Sequence, residues 1–340
     1  MSDNFHKKEE AHGYVGSQAL ESFAVYLRIA AAERSLWARE QGISCYRIYD
    51  AELSPFALSI DIYEGSATCA GKKYLVIGQY KEADAADETE EQQRFSEAVE
   101  IASQALGIAR EYVFEKARDS GRNGFQYKDG ERSSFIVQVS EGGHLFELDL
   151  KGYLDTGIFL DHRPTRAKIG QMAEGKHFLN LFAYTGTASV YAAAQGAAST
   201  TTVDLSQTYV NWAKRNMELN ELAGEHRFIR SDALHWLDRD IRKGVTYNLV
   251  FADPPTFSRS KLKGKKTWSV ARDHVELLQK IAAVLSNGGK AIFSCNLRDF
   301  KPDERELAKS GIRLEDITQA SIPADFASNP KIHQCYLLSR

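Results

Sequence analysis

Asp253, Pro254, Pro255 and Phe257 stand together where an apolar run ends, in YNLVFADPPTFSRSK. Two successive prolines fix the backbone and keep its carbonyls out of any ladder, so the strand end offers rigid acceptors to a planar substrate. Phe257 adds a face on which a nucleobase can stack, an interaction of roughly 1 to 3 kcal/mol. Asp253 adds a carboxylate that can steady positive charge developing on such a ring. Earlier in the chain, HFLNLFAYTGTASVYAAAQGA sets an apolar strand, a loop with Tyr184, Thr185 and Gly186, and an immediate helix in succession. That order presents backbone N–H groups to a ligand and lets it approach a position without a Cβ. The GxGxxG of nicotinamide binders is absent, which favours another nucleoside. Asp204, ending the next strand in TTVDLS, can accept both ribose hydroxyls; Asp232 in IRSDALHW can accept from an adenine amino group. Either acid alone reads equally as a helix N-cap. Acids at successive strand ends around a glycine loop point to methyl transfer onto a nitrogen or a nucleobase.

Such strand ends require alternating strands and helices, and from Tyr153 onward the chain supplies them. HFLNLF, a helix from Thr187, STTTVD, a helix from Ser206, RFIR, a helix through His235, YNLVFA, a helix to Leu285 and KAIFSC follow one another. This is the rhythm of a doubly wound α/β sheet. Near the N-terminus, SQALESFAVYLRIAAAERSLWARE repeats apolar residues at helical spacing. Between them the strands CYRIYD, FALSIDIY and KYLVIGQY, the acidic linker EADAADETEE, a helix to Leu106, and the strands YVFEKA, SFIVQV and HLFELDL read as a smaller α+β unit. The expected organisation is a polar segment and helix over 1–40, an α+β domain over 41–150 and an α/β domain over 151–340.

At 340 residues, 43% apolar and 26% charged, the chain has the composition of a globular protein of about two domains. Its formal net charge of -3 excludes a uniformly basic nucleic-acid binder, so attraction to phosphate must come from local patches. Arg259, Lys261, Lys263, Lys265 and Lys266 follow the DPP turn and can reach phosphates around an extruded nucleotide. Lys116, Arg118, Arg122 and Lys128 interleave with Phe125 and Tyr127, as where backbone contacts accompany base stacking. The cysteines Cys45, Cys69, Cys295 and Cys335 lack CxxC or Cys/His spacing, which argues against a disulfide framework and a zinc site. No run approaches a membrane span and MSDNFHKKEE has no apolar signal core, so the reading is a cytoplasmic protein without a membrane partner.

NLFAYTG, VDLS, SDALHW and DPPTFS resemble the cofactor and catalytic motifs of S-adenosylmethionine-dependent methyltransferases. CYRIYDAELSPF, YLDTGIFLDHR, FLNLFAYTGTASV, TTTVDLSQTY, DPPTFSRSK and DFASNPKIHQCYLL resemble, from about Leu36 to the C-terminus, one half of a bacterial family. That family is the fused 23S rRNA N2-guanine/N7-guanine methyltransferases, and the resemblance is to the C-terminal, N7-methylating half. It implies a Rossmann-like class I fold, S-adenosylmethionine as cofactor and N7 of a guanine in 23S rRNA as target, usually numbered nucleotide 2069. The THUMP domain and N2-methylating half of the fused enzymes have no counterpart here. The implied partners are therefore 23S rRNA or a ribosomal precursor particle, and a separate N2-guanine methyltransferase. By the same resemblance Asn180, Phe182, Tyr184 and Gly186 line the methionine side of the cofactor, Asp204 the ribose and Asp232 the adenine. Asp253 with Pro254 lines the passage to the target base, and Phe159 and Arg163 close the cofactor pocket from a preceding strand.

The chemistry suits so sparse a site. Guanine N7 carries a lone pair and no proton, so its methylation requires positioning and no general base. N7 lies in the deep, narrow major groove of A-form RNA, so the nucleotide must be unpaired or flipped. The alternative is pyrimidine C5 methylation. C5 is not nucleophilic, and a thiolate must first add to C6; FSCN resembles the segment that bears the nucleophilic cysteine in rRNA and tRNA 5-methylcytidine or 5-methyluridine enzymes, which makes Cys295 the candidate. The bland reading of Cys295 is a buried structural thiol.

Overall fold

The computed structural model describes residues 16–80, 88–117, 133–258 and 267–340. They form two compact units, one of residues up to Gly65 and from Ala70 to Arg132, the other of Ser66–Cys69 and Ser133–Arg340. Among the described residues no helix is long and apolar enough to cross a membrane.

In the first unit, helix α1 (Ser17–Glu40) runs over the residues its apolar spacing indicated. Strands β1 (Cys45–Asp50), β2 (Leu58–Glu64) and β3 (Lys73–Gln79) pair antiparallel, helix α2 spans Glu88–Leu106, and β4 (Val113–Ala117) adds parallel to β3. Phe23 of α1 is fully buried against the rings of Tyr49 and Phe56, at 5.0 and 4.2 Å between centroids. The helix thus belongs to the core of this unit, and the expected separate segment over 1–40 is corrected accordingly.

The second unit begins with the hairpin β5 (Ile136–Glu141) and β6 (His144–Asp149), which the expected boundary at 150 had placed in the α+β domain. Helix α3 (Arg163–Ala173) precedes β7 (His177–Leu181), α4 (Thr187–Ala194), β8 (Ser199–Asp204), α5 (Gln207–Leu219) and β9 (Glu225–Arg230). Then come α6 (Ala233–Lys243), β10 (Tyr247–Ala252), the short pair β11 (Phe257–Ser258) and β12 (Trp268–Ser269), α7 (Val270–Ala283) and β13 (Leu285–Cys295). The chain closes with α8 (Glu304–Lys309), β14 (Arg313–Asp316), α9 (Thr318–Ser321) and β15 (Gln334–Ser339). The hairpin is held to α5 by Asn220 and Asn216, whose side-chain oxygens accept from Leu145 N and Glu147 N at 2.8 and 2.9 Å, and by Trp212 Nε1, which donates to Glu147 O at 2.8 Å.

Seven strands form one sheet in the order β14-β15-β13-β10-β7-β8-β9. Pairing is parallel from β13 to β9, and β15 runs antiparallel to both its neighbours. This is the doubly wound, Rossmann-like α/β sheet expected from the strand–helix alternation, completed by a C-terminal reversal that the alternation had not indicated. Buried Leu179, Leu181, Val250, Ala252, Ala291 and Phe293 from its central strands pack with Leu277 and Ile281 of α7. From β7 the strand order moves outward to β8 and then restarts on the other side with β10. The carboxyl ends of β7 and β10 therefore flank the crevice where such sheets bind ligands.

Candidate active site

The loop after β7 is built from left-handed residues. Phe182, Tyr184 and Gly186 have φ of 53, 50 and 72°. Gly186 is suited to that conformation twice over, because a Cβ there would stand 2.5 Å from the Cβ of Ala213 on α5. Phe182 and Tyr184 hold it at a steric cost of order 1 to 3 kcal/mol each, the kind of strain that concentrates at ligand sites. The strain is fixed by bonds. Tyr184 N donates to Asp204 Oδ2 at 2.9 Å, Thr185 Oγ1 donates to Gly157 O at 2.5 Å, and Asn216 Nδ2 donates to Thr185 O at 3.0 Å.

Asp204 closes the other wall. Its second oxygen, Oδ1, accepts from Ser206 N at 2.8 Å, so both oxygens are oriented by backbone while each keeps lone-pair capacity. Burial raises the Asp204 carboxyl above its ordinary range, partly offset by the Ser206, Tyr184 and Leu205 N–H groups. Next to it Leu205 is 62% exposed. An apolar side chain left open beside a buried acid is a platform for a flat apolar ring, and the VDLS run contained this signal without its being read. Tyr184 lies edge-on to Tyr209 at 4.7 Å and 5.1 Å from Phe159, itself 38% exposed. Asp232 is exposed and caps α6, accepting from His235 N at 2.9 Å.

Three expected placements, those of Arg163, Lys116 and Phe159, are corrected. Asn180 is 1% exposed and donates through Nδ2 to Ser189 Oγ at 3.0 Å, tying β7 to α4, while its Oδ1 is buried with no hydrogen-bond partner among the described residues. Arg163 opens helix α3 rather than standing on a strand, and its buried guanidinium is spent on Asp325 at 3.0 Å and Glu141 at 3.3 Å. Lys116 lies on β4 and is 9% exposed, so it does not offer a free surface charge. Phe159 also precedes a single helical turn rather than lying on a strand. Arg118, Arg122, Lys128, Arg259, Lys261, Lys263, Lys265 and Lys266 lie outside the described residues.

At the end of β10, Asp253 is partly open, with its side chain 23% exposed, Pro254 is buried and Pro255 exposed. Pro255 O accepts from Trp268 Nε1 at 2.9 Å, and Thr256 O from Val270 N at 3.1 Å, so the turn is rigid on both sides. Phe257, on β11, is 70% exposed. Ala252 pairs with Leu181, which sets Asp253 directly beside the strained loop. The sequence reading missed what stands behind Asp253. His162 Nε2 lies 3.7 Å from Asp253 Oδ2 and 3.6 Å from Asp161 Oδ2, and His333 Nδ1 lies 2.8 Å from the same Asp161 oxygen. Cys295 is fully buried at the end of β13, and burial pushes its thiol up to about 12.

Residues 71–328 match the family model for S-adenosylmethionine-dependent methyltransferases. The ribosomal RNA large subunit methyltransferases K/L of Methylococcus capsulatus and Hahella chejuensis are 44% and 43% identical over 95% and 94% of this chain. The chain spans 43% of the length of each, less than half of these curated relatives. The crystal structure of a methyltransferase complexed with SAH superposes with a TM-score of 0.73 at 24% identity, covering 97% of this chain and 83% of that one, a likeness of fold. The residues present fit such a cofactor. A strained loop at a β-strand end, a doubly anchored carboxylate on the next strand and an open apolar side chain beside it are what a nucleoside with a charged tail requires.

Leu205→Ala should weaken S-adenosylmethionine binding by roughly tenfold, about 1.4 kcal/mol, through loss of apolar area that the ligand would cover. Because the side chain is exposed, the melting temperature should stay near the wild-type value. Isothermal titration measures the first and calorimetry the second; unchanged affinity would remove Leu205 from the site.

Proposed function

The chain belongs to the S-adenosylmethionine-dependent methyltransferase family, and on that premise we propose that it methylates N7 of an unpaired or flipped guanine in 23S rRNA. The observation that carries this reading is the Asp253–Pro254–Pro255 turn, a rigid, partly open carboxylate beside the left-handed loop. The similarity to ribosomal RNA large subunit methyltransferases supports an rRNA substrate. The resemblance to their N7-methylating half supports the position, with nucleotide 2069 as the proposed target. We place the reaction on this rRNA, naked or in a precursor particle, in the cytoplasm.

S-adenosylmethionine supplies an electrophilic methyl group on a sulfonium. Phe159, Phe182, Tyr184 and Gly186 would frame its methionine side, Asp204 its ribose, and Asp232 with Leu205 its adenine. Pro254 and Pro255 hold the target base in the plane of attack, and Phe257 offers it a stacking face. N7 has no proton to lose, so Asp253 is not needed as a base; its negative charge steadies the ring as it becomes cationic. The basic residues at 259–266, and separately those at 118–128, would supply phosphate contacts to the RNA.

Pyrimidine C5 chemistry fits less well. A thiol held near 12 is almost wholly protonated at neutral pH and makes a weak nucleophile. Cys295→Ala should therefore retain most methyl transfer, measured with labelled S-adenosylmethionine, whereas complete loss would favour the covalent route. An rRNA fragment transcribed with 7-deazaguanine tests the position itself. It should bind normally and accept no methyl group; undiminished transfer would exclude N7.

A further inference from the structure

We propose that His162 is a positioning residue for Asp253, held at the end of a polar chain that starts at Ser321. The proposal rests on the reading of Asp253 as the carboxylate beside the target base. Ser321 Oγ carries one hydrogen, and the Thr318 carbonyl 2.8 Å away can only accept it. His333 Nε2 also lies 2.8 Å from Ser321 Oγ. On its other side His333 Nδ1 lies 2.8 Å from Asp161 Oδ2. Burial works against the Asp161 charge, but the facing His162, the His333 hydrogen bond and Arg166 outweigh it and hold the carboxyl well below its usual range. The carboxylate is therefore ionised, and His333 Nδ1 donates to it. The Asp161, His162 and His333 ligand atoms lie within 4.8 Å of one another, as around a metal ion. Both His333 nitrogens are thus engaged, Nδ1 by Asp161 and Nε2 by Ser321.

Asp161 passes this order on to His162. One nitrogen of that ring, Nε2, faces Asp161 Oδ2 at 3.6 Å, Asp253 Oδ2 at 3.7 Å and Ser294 Oγ at 3.5 Å. The other, Nδ1, is buried and without a hydrogen-bond partner among the described residues. A hydrogen on Nδ1 would be an unsatisfied buried donor, and it would leave the Nε2 lone pair against two carboxylates. The hydrogen belongs on Nε2. Burial lowers the ring's affinity for a second proton, opposed by Asp253 and Asp161 and reinforced by His333 and Arg166, so the ring is neutral. Flanking rings of His333, Phe251 and Phe159, at 4.5, 6.2 and 6.5 Å, keep it from turning aside. A neutral N–H can orient the Asp253 carboxylate without cancelling the charge that faces the substrate. The separations are longer than hydrogen bonds, as is common before a substrate tightens a site.

The test is steady-state kinetics of the full chain with S-adenosylmethionine and guanine-containing rRNA. His162→Phe, which keeps a ring and removes the donor, should lower kcat by roughly 10- to 100-fold with little change in S-adenosylmethionine affinity. His162→Gln, whose side-chain N–H reaches toward the Nε2 position, should recover most of that loss. Adding His162→Phe to Asp253→Asn should slow the enzyme no further than Asp253→Asn alone. Wild-type kcat in His162→Phe, or no recovery with His162→Gln, overturns the positioning role. Asp253→Asn at wild-type rate would instead overturn the reading of Asp253 itself. Should His162→Phe not fold, imidazole nitrogen NMR of the wild-type protein decides. A neutral ring protonated at Nε2, with a signal that moves in Asp253→Asn, is expected; protonation at Nδ1, or indifference to Asp253, overturns the proposal.

Discussion

Asp253→Ala is expected to lower kcat by about 10²- to 10³-fold, the cost of removing one preorganised electrostatic group from a site, while S-adenosylmethionine affinity stays nearly unchanged. The expectation follows from position. The carboxylate is anchored by the β10 strand end and the double proline, so it need not reorganise when the ring becomes cationic. Asp204, on β8, carries the anchoring bonds of the cofactor loop, and Asp253 carries none of them. Asp253→Asn separates charge from shape, because the amide oxygen can still accept a hydrogen bond while the negative charge is gone. Its rate should fall between those of wild type and Asp253→Ala. Single-turnover transfer of labelled methyl groups reads the chemical step directly. A normal rate in both variants would leave the strand end with no role beyond shape.

Arg166→Met should be the most destabilising single change in the second unit, by about 3 to 5 kcal/mol, because it strands a buried carboxylate. Arg166 Nε and Nη2 both donate to Glu141, each at 2.8 Å, and Nη1 donates to the Phe159 carbonyl at 2.8 Å. Tyr191 Oη donates to Glu141 at 3.0 Å, and Arg163 bridges Glu141 to Asp325. Two acids and two arginines thus balance inside the fold and hold the segment that carries Phe159. Burial alone would raise the Glu141 carboxyl, but Arg166 and then Arg163 and Tyr191 reverse this, so its pKa is lowered. A lowered carboxyl contributes stability above its unfolded value of about 4.3 and loses it as pH falls through the folded value. Arg166→Met should reverse the sign, with stability falling as pH rises and a buried Glu141, left with only Arg163 and Tyr191, ionises. Glu141→Gln in the same chain should recover part of the loss. Urea unfolding at two pH values measures both effects, and a midpoint insensitive to Arg166→Met would show the cluster to be energetically idle.

The elements that sequence alone placed well were those with a local cause. The apolar spacing of 17–40 marked α1, and the Val- and Thr-rich run at 199–204 marked β8. The loop after β7 and the DPP turn were legible because glycine and proline restrict a backbone wherever they stand. What escaped depended on distant partners. SFIVQV and HLFELDL look like the hairpin strands before them, and only Asn216, Asn220 and Trp212, far along the chain, draw them into the second unit. Arg163 looked like a surface cation near a pocket because neither Glu141 nor Asp325 is near it in sequence. His162 and His333 were unremarked for the same reason, since Asp161 joins them only in the folded chain. The closing strands β14 and β15 escaped because short apolar runs carry no period that separates strand from loop.

The measurement closest to the central claim is mass-spectrometric nucleoside analysis of unmodified 23S rRNA treated with this protein and S-adenosylmethionine. Formation of 7-methylguanosine, abolished in Asp253→Ala and preserved in Cys295→Ala, is the predicted result. Formation of 5-methylcytidine or 5-methyluridine, lost in Cys295→Ala, would contradict the account and move the chemistry from the double-proline strand end to the buried thiol of β13.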